Sequence, residues 1–200
     1  MRTDVARVDA RDSILDAAER LLGLYGYKKT TVDDIAQEAG IGKGTIYLHF
    51  SGKDEIAISW IDRVNQRVRA RLEEIADSAD GPIARLRDML IARVMVRFDY
   101  ARNHEKSIDE LLAAVRPQLL DCRQRWHEAE AQLLAGVLRG GRSEGVFRFE
   151  GDMATARALV LATNSILPYS LSPRQLGERE EIENAAGQIA DLLLNGLLAR

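Results

Sequence analysis

Cysteine is almost absent from this 200-residue chain. The single Cys122 excludes an internal disulfide framework and a cysteine-rich zinc site. The three histidines, His49, His104 and His127, lie far apart and lack metal-ligand spacing, so no metal is expected. No run of about 18 apolar residues occurs, and no membrane span is expected. The opening MRTDVARVDARD is charged and has no apolar core, so no secretory leader is expected there and the cytoplasm is the expected location. A positive surplus is missing too: 28 Lys and Arg stand against 31 Asp and Glu, a net charge of -3. That balance does not announce a nucleic-acid binder, yet it does not exclude one, because a phosphate feels the local field. Strand-like alternation, low-complexity tracts and strict internal repeats are lacking. So are a nucleophile–base pair, a phosphate loop and a metal cluster, so neither enzymatic activity nor a cofactor is expected.

What the chain has is helical periodicity and, at 46% hydrophobic residues, enough apolar side chain for a core. Ile14, Leu15, Ala18, Leu21 and Leu22 share a face of a first helix that starts near Asp12 and stops at Gly26, a residue suited to a left-handed cap. Further helices are expected over 54–76, from Pro82 to about residue 100, from a Ser107 cap through IDELLAAV, and from Pro117 to about Ser143. GGRSEGVFRFEGD reads as a loop, Asp152 as the cap of a helix over 153–167 ended by Pro168, SLSPRQLGE as a second loop, and 179–198 as the last helix. The sum is an all-α chain of about nine helices. A boundary near Lys53 separates a cluster of three short helices, 1–53, from the long helices of 54–200.

One stretch carries more than structure: TTVDDIAQEAGIGKGTIYLHF, residues 30–50. Thr31 can cap a short helix with Asp33 and Asp34 in its first turn, where the helix dipole favours acidic groups. Ile35 points to the core, Ala36 is small enough for a close helix crossing, and Gly40 permits a tight turn. Ile46 then anchors a second helix from its buried side, a pattern of two helices joined by a tight turn. With Ile46 inward, Lys43, Thr45, Tyr47, Leu48 and His49 surround the free end, and Gly42 and Gly44 leave its N-terminal N–H groups uncovered for an anion. The residues alone leave two readings, an ordinary glycine-rich joint and a helix end built to meet DNA.

The segment ILDAAERLLGLYGYKKTTVDDIAQEAGIGKGTIYLHFSGKDEI, Ile14 to Ile56, closely resembles the DNA-binding domain of the tetracycline-repressor (TetR) family of transcription regulators. The resemblance implies a helix-turn-helix regulator, most naturally a repressor, that binds double-stranded operator DNA. It implies that Thr31 touches phosphate, that Gly42, Lys43, Gly44, Thr45, Tyr47, Leu48 and His49 form the recognition element, and that Lys53 grips the backbone. Lys43 is the expected base reader, because a glycine and a threonine offer little beyond a hydroxyl and a methyl contact.

Beyond Ile56 the resemblance lies in the number, length and order of the helices, which in the family form a ligand-binding and dimerisation domain. Trp60, Met89, Met95, Phe98, Tyr100, Cys122 and Trp126 are large or soft side chains of the kind that line apolar pockets, so a small, largely apolar effector that releases DNA is expected. His104 is expected to be exposed in a solvated connection, and Arg93 and Arg97 to form at most a pocket rim. The last two helices look like a homodimer interface: Ala154, Ala158, Leu161, Ala162 and Ser165 share one face, and the final helix is apolar nearly all round. A helical adaptor would explain that last stripe but not GKGTIYLHF.

Overall fold

The computed structural model describes residues 2–167 and 177–199, and all regular structure among them is helical. We number nine α-helices: α1 Arg2–Tyr25, α2 Val32–Glu38, α3 Lys43–His49, α4 Lys53–Ala76, α5 Pro82–Asn103, α6 Glu105–Ala114, α7 Arg116–Ser143, α8 Asp152–Ala162 and α9 Arg179–Asn195. A short 3-10 turn over Thr163–Ile166 follows α8. The chain folds as two compact units, one made of residues 1–63 with 103–120 and the other of 64–102 with 121–200.

In the first unit the buried side chains include most of those the spacing selects: Ile14, Leu15, Ala18 and Leu22 of α1, Ile35 and Ala36 of α2, and Ile46 of α3, while Leu21 is half-buried and Ala17, which the spacing does not select, is fully buried. Phe50, Ile56 and Trp60 complete this core. The stop of α1 is the left-handed Gly26, at φ 83°. Its start differs from expectation. α1 begins at Arg2 rather than near Asp12, because the charged opening contains no glycine or proline to break a helix. α6 also starts early, at Glu105 with His104 in the cap position, so Ser107 lies inside the helix.

The second unit has a large apolar cluster that includes Val68, Leu72, Leu86, Met89, Leu134, Leu138, Leu159, Ala190 and Leu194. α7 runs through Gly140 and Gly141 to Ser143, the expected end of this helix, so the GGRS that opens the expected loop is helical. The glycine at 141 serves packing: a Cβ there would collide with the Phe147 ring and lie 3.0 Å from Pro82 Cβ. The turn comes at Gly145, at φ 74°. The segment after it pairs with the end of the chain through an isolated antiparallel bridge between Phe147 and Leu198, with Arg148 N donating to Leu197 O at 2.8 Å. Asp152 is the first residue of α8 and not its cap; its carboxylate meets Arg139 at 3.0 Å and Arg142 at 2.9 Å. α8 ends at Ala162, before the expected 167, and the expected stop at Pro168 and most of the SLSPRQLGE loop lie outside the described residues.

Candidate nucleic-acid interface

The geometry of 30–50 follows from local chemistry. Thr31 Oγ1 accepts from Asp34 N at 3.1 Å, while Asp34 Oδ2 accepts from Thr31 N at 2.8 Å, a reciprocal capping box. Such a cap contributes about 1 kcal/mol. At the other end of α2, Gly40 adopts φ 68°. Its N–H donates to Gln37 O at 3.1 Å, and Ile41 N donates to Ala36 O at 3.0 Å. This pair of bonds is a Schellman stop, and it turns the chain directly into α3.

α3 buries only Ile46 completely. Gly42, Lys43 and Gly44 are exposed, Thr45 and His49 half-buried, Tyr47 is 52% exposed and Leu48 73% exposed. No side chain caps the N-terminal end at Gly42. Gly44 is informative because the fold does not require it: a Cβ there would have no atom within 4 Å among the described residues. Glycine inside a helix costs roughly 1 kcal/mol relative to alanine. A solvent-facing apolar Leu48 beside it adds a second exposed feature with no intramolecular use.

The predicted contact residues are brought together with one exception of orientation. Lys43, Gly44, Tyr47 and Leu48 lie on the outward side of α3, and Thr31 is exposed at the head of α2. Lys43 Nζ is paired with Asp33 at 2.8 Å, a bond between two exposed side chains that DNA can displace at small cost. Lys53, the expected backbone grip, also has partners within its own unit. Its ammonium donates to Tyr27 O at 2.9 Å and Thr30 O at 3.0 Å, and lies 4.2 Å from the Tyr27 ring centre. In the free protein it therefore braces the entry to α2 against α4. Tyr27 adds to this joint by donating its hydroxyl to Asp54.

The proposed effector residues are scattered. Met95 and Phe98 belong to one apolar cluster with Val94, Leu167, Ile182 and Ala186, whereas Met89 belongs to the larger core. Cys122 is buried and its sulfur accepts from Arg125 Nη2 at 3.2 Å; Tyr100 and Trp126 are half-buried. Trp60 belongs to the first unit and the other six to the second; it packs edge-on against His104 with ring centres 5.2 Å apart. His104 is thus largely covered, not exposed as expected. Gly23 of α1 makes the room: a Cβ there would stand 3.2 Å from His104 Cδ2. Arg93 and Arg97, expected at a rim, are instead buried in the second unit with Glu130, and sequence reasoning missed Glu130 altogether.

With this geometry in hand, comparison with known proteins is specific. Residues 14–59 match the model of the bacterial regulatory proteins of the tetR family. The HTH-type transcriptional regulator TtgR of Pseudomonas putida is 30% identical over 207 residues, covering 96% of this chain and 95% of TtgR. A transcriptional regulator from Cytophaga hutchinsonii shares the fold with a TM-score of 0.75 at 21% identity, over 93% of this chain and 97% of that one. SmeT, a Stenotrophomonas maltophilia repressor solved with triclosan, shares it with a TM-score of 0.67 at 24% identity, over 95% and 92% of the two chains.

Proposed function

We propose a function from one premise: this chain belongs to the TetR family of transcriptional regulators. It regulates transcription and is not an enzyme, and no described helix is long and apolar enough to cross a membrane. Our reading is a repressor whose head, residues 1–53, binds operator DNA as a homodimer, and whose 54–200 part senses a small, largely apolar effector and releases the DNA.

The observation that carries the DNA reading is the outward end of α3. It is uncapped, carries Lys43 and Tyr47, and keeps Gly44 and Leu48 free for a close approach. Phosphate contacts from Thr31, Tyr47 and the α3 end set register, and Lys43 and Thr45 reach base edges. Two such helices in a dimer face successive major grooves ~34–36 Å apart. The dimer reading is supported by Leu161 of α8 and Leu192 of α9, large apolar side chains left 65% and 74% exposed. The effector reading is supported by the fold shared with SmeT, which holds triclosan, and by the continuity of α4 across the boundary between the two compact units at residues 63 and 64. An effector that prefers one arrangement of the sensor shifts DNA affinity by no more than that preference, with ~1–3 kcal/mol an ordinary coupling.

The test is a gel shift on duplex DNA flanking the protein's own coding region, repeated across salt. Affinity falls steeply with salt, by a log–log slope of about 0.9 for each phosphate neutralised. Gly44→Ala in the same assay separates fold from function: the variant unfolds at higher urea, by up to ~1 kcal/mol, and binds the duplex more weakly. A Gly44→Ala protein that binds as well as the parent removes the close approach from this reading.

A further inference from the structure

The interior of the second unit holds an unequal set of charges. Arg93 of α5 is fully buried, and Arg97, one turn later, is 5% exposed. Both use one buried carboxylate, Glu130 of α7. Arg93 Nε donates to Glu130 Oε2 at 2.8 Å, and Arg97 Nη2 donates to Glu130 Oε1. These three are the buried charged side chains among the described residues, two positive and one negative.

The two arginines are not equally satisfied. Arg93 Nη1 also donates to Val160 O at 3.1 Å and to Thr163 Oγ1, and Nη2 donates to Asn164 Oδ1 at 3.1 Å. Those acceptors sit at the C-terminal end of α8, where the helix dipole supplies about half a negative charge. Arg97 Nη1 donates to Arg93 O at 2.7 Å and Nη2 to Asn65 Oδ1 at 2.7 Å, both uncharged groups, and its Nε has no acceptor among the described residues. Nearby His127 adds no negative charge. Burial, with Arg93, Arg97 and Arg123 outweighing the pull of Glu130, pushes its pKa down to about 4, so it is neutral at ordinary pH. The cluster remains short of roughly half to one negative charge, and buried charge left without a counter-charge is strongly disfavoured.

We propose that the effector of this unit is a monoanion, a carboxylate on an apolar chain, whose acidic group is bound by Arg97 through its Nε side. With both Nη2 hydrogens committed to Asn65 and Glu130, the Nε–H offers a carboxylate one charge-assisted hydrogen bond. A phosphate group, at about −1.5 to −2, would overshoot the shortfall. The apolar chain has a partner on the same helix: Val94, Met95 and Phe98 alternate with the arginines along α5 and pack with Leu167, Ile182 and Ala186. This inference rests on the effector reading above and narrows it from a merely apolar molecule to an amphiphilic acid.

The experiment titrates the full chain with unbranched alkyl carboxylates and with alcohols of equal chain length, read by tryptophan fluorescence. The carboxylates bind about tenfold to a hundredfold tighter, the worth of a charge-assisted hydrogen bond. In Arg97→Gln the alcohols bind as before and the preference disappears, while Arg97→Lys keeps part of it. Thermal unfolding gives an independent readout. Arg97→Gln leaves Arg93 and Glu130 as a balanced pair, so its Tm does not fall. A lowered Tm with the carboxylate preference intact makes Arg97 purely structural and overturns the proposal. Equal binding of acids and alcohols overturns the anionic assignment and leaves the apolar effector standing. A preferred carboxylate that leaves DNA binding unchanged upholds the site and overturns the effector reading. Binding by no member of either series overturns both.

Discussion

Glu130→Gln lowers the unfolding free energy by about 3–5 kcal/mol, read by urea denaturation. The substitution keeps shape and removes charge, leaving two buried guanidiniums without the carboxylate that both use. Because domains of this size are stable by only about 5–15 kcal/mol, the loss is a large share of the total. Glu128→Gln, two residues earlier, is the control. Its pair with Arg157 is exposed on both sides, and its loss changes stability by less than about 1 kcal/mol. Acid gives the same answer by another route. Burial by itself would raise the Glu130 pKa, but Arg97 and Arg93 outweigh it and hold it at about 2. The folded value lies below the unfolded one of about 4.3, so this stabilisation is present above that pH and is lost as pH falls towards 2. His127, with its folded pKa also depressed, begins the decline earlier, because the unfolded chain takes up a proton between about 6.5 and 4 that the folded chain refuses. A stability profile flat from pH 7 down to 3 would contradict both assignments.

On the homodimer reading proposed above, Leu161→Glu combined with Leu192→Glu yields a folded monomer and lowers operator affinity by roughly 10²–10⁴-fold. Both side chains point away from their own unit, so the substitutions leave intact the inward stripe of Ala156, Leu159 and Val160 in α8 and of Ile182, Ala186, Ala190 and Leu194 in α9. Exposed substitutions of this kind change monomer stability by about 0.5 kcal/mol or less. The DNA effect follows from linkage alone. A monomer offers one recognition helix, and the second binding event loses its effective concentration. Sedimentation reports the mass and fluorescence anisotropy the affinity. A double variant that still sediments as a dimer places the interface elsewhere.

The helix-turn-helix was legible because every signal for it is local. The Thr31 cap and its Asp34 partner lie three residues apart, the Gly40 turn closes on Ala36 and Gln37, and Ile35 and Ile46 mark the buried sides of two short helices. The charged core was not legible, because Glu130 sits in a polar run that reads as a solvated face, and its partners lie 37 and 33 positions away. The intrachain partners of Lys53 were hidden for the same reason. A lysine after a recognition helix suggests a phosphate grip, and only the fold shows the carbonyls of Tyr27 and Thr30 waiting for it, 26 and 23 positions back. Gly140 and Gly141 looked like a loop because glycine signals turns, yet the one at 141 exists to admit the Phe147 ring. Composition hints at burial; partnership across the chain decides it.

The central claim is that α3 reads sequence through its free end, and Lys43 tests it most directly. The measurement is the affinity of the parent and of Lys43→Ala for a duplex carrying the operator and for a random duplex of equal length, at one salt concentration. The account predicts a loss of ~1–3 kcal/mol on the operator and a smaller one on random DNA, so that the ratio between the two shrinks. An equal loss on both duplexes would make Lys43 a phosphate contact and contradict the base-reading role.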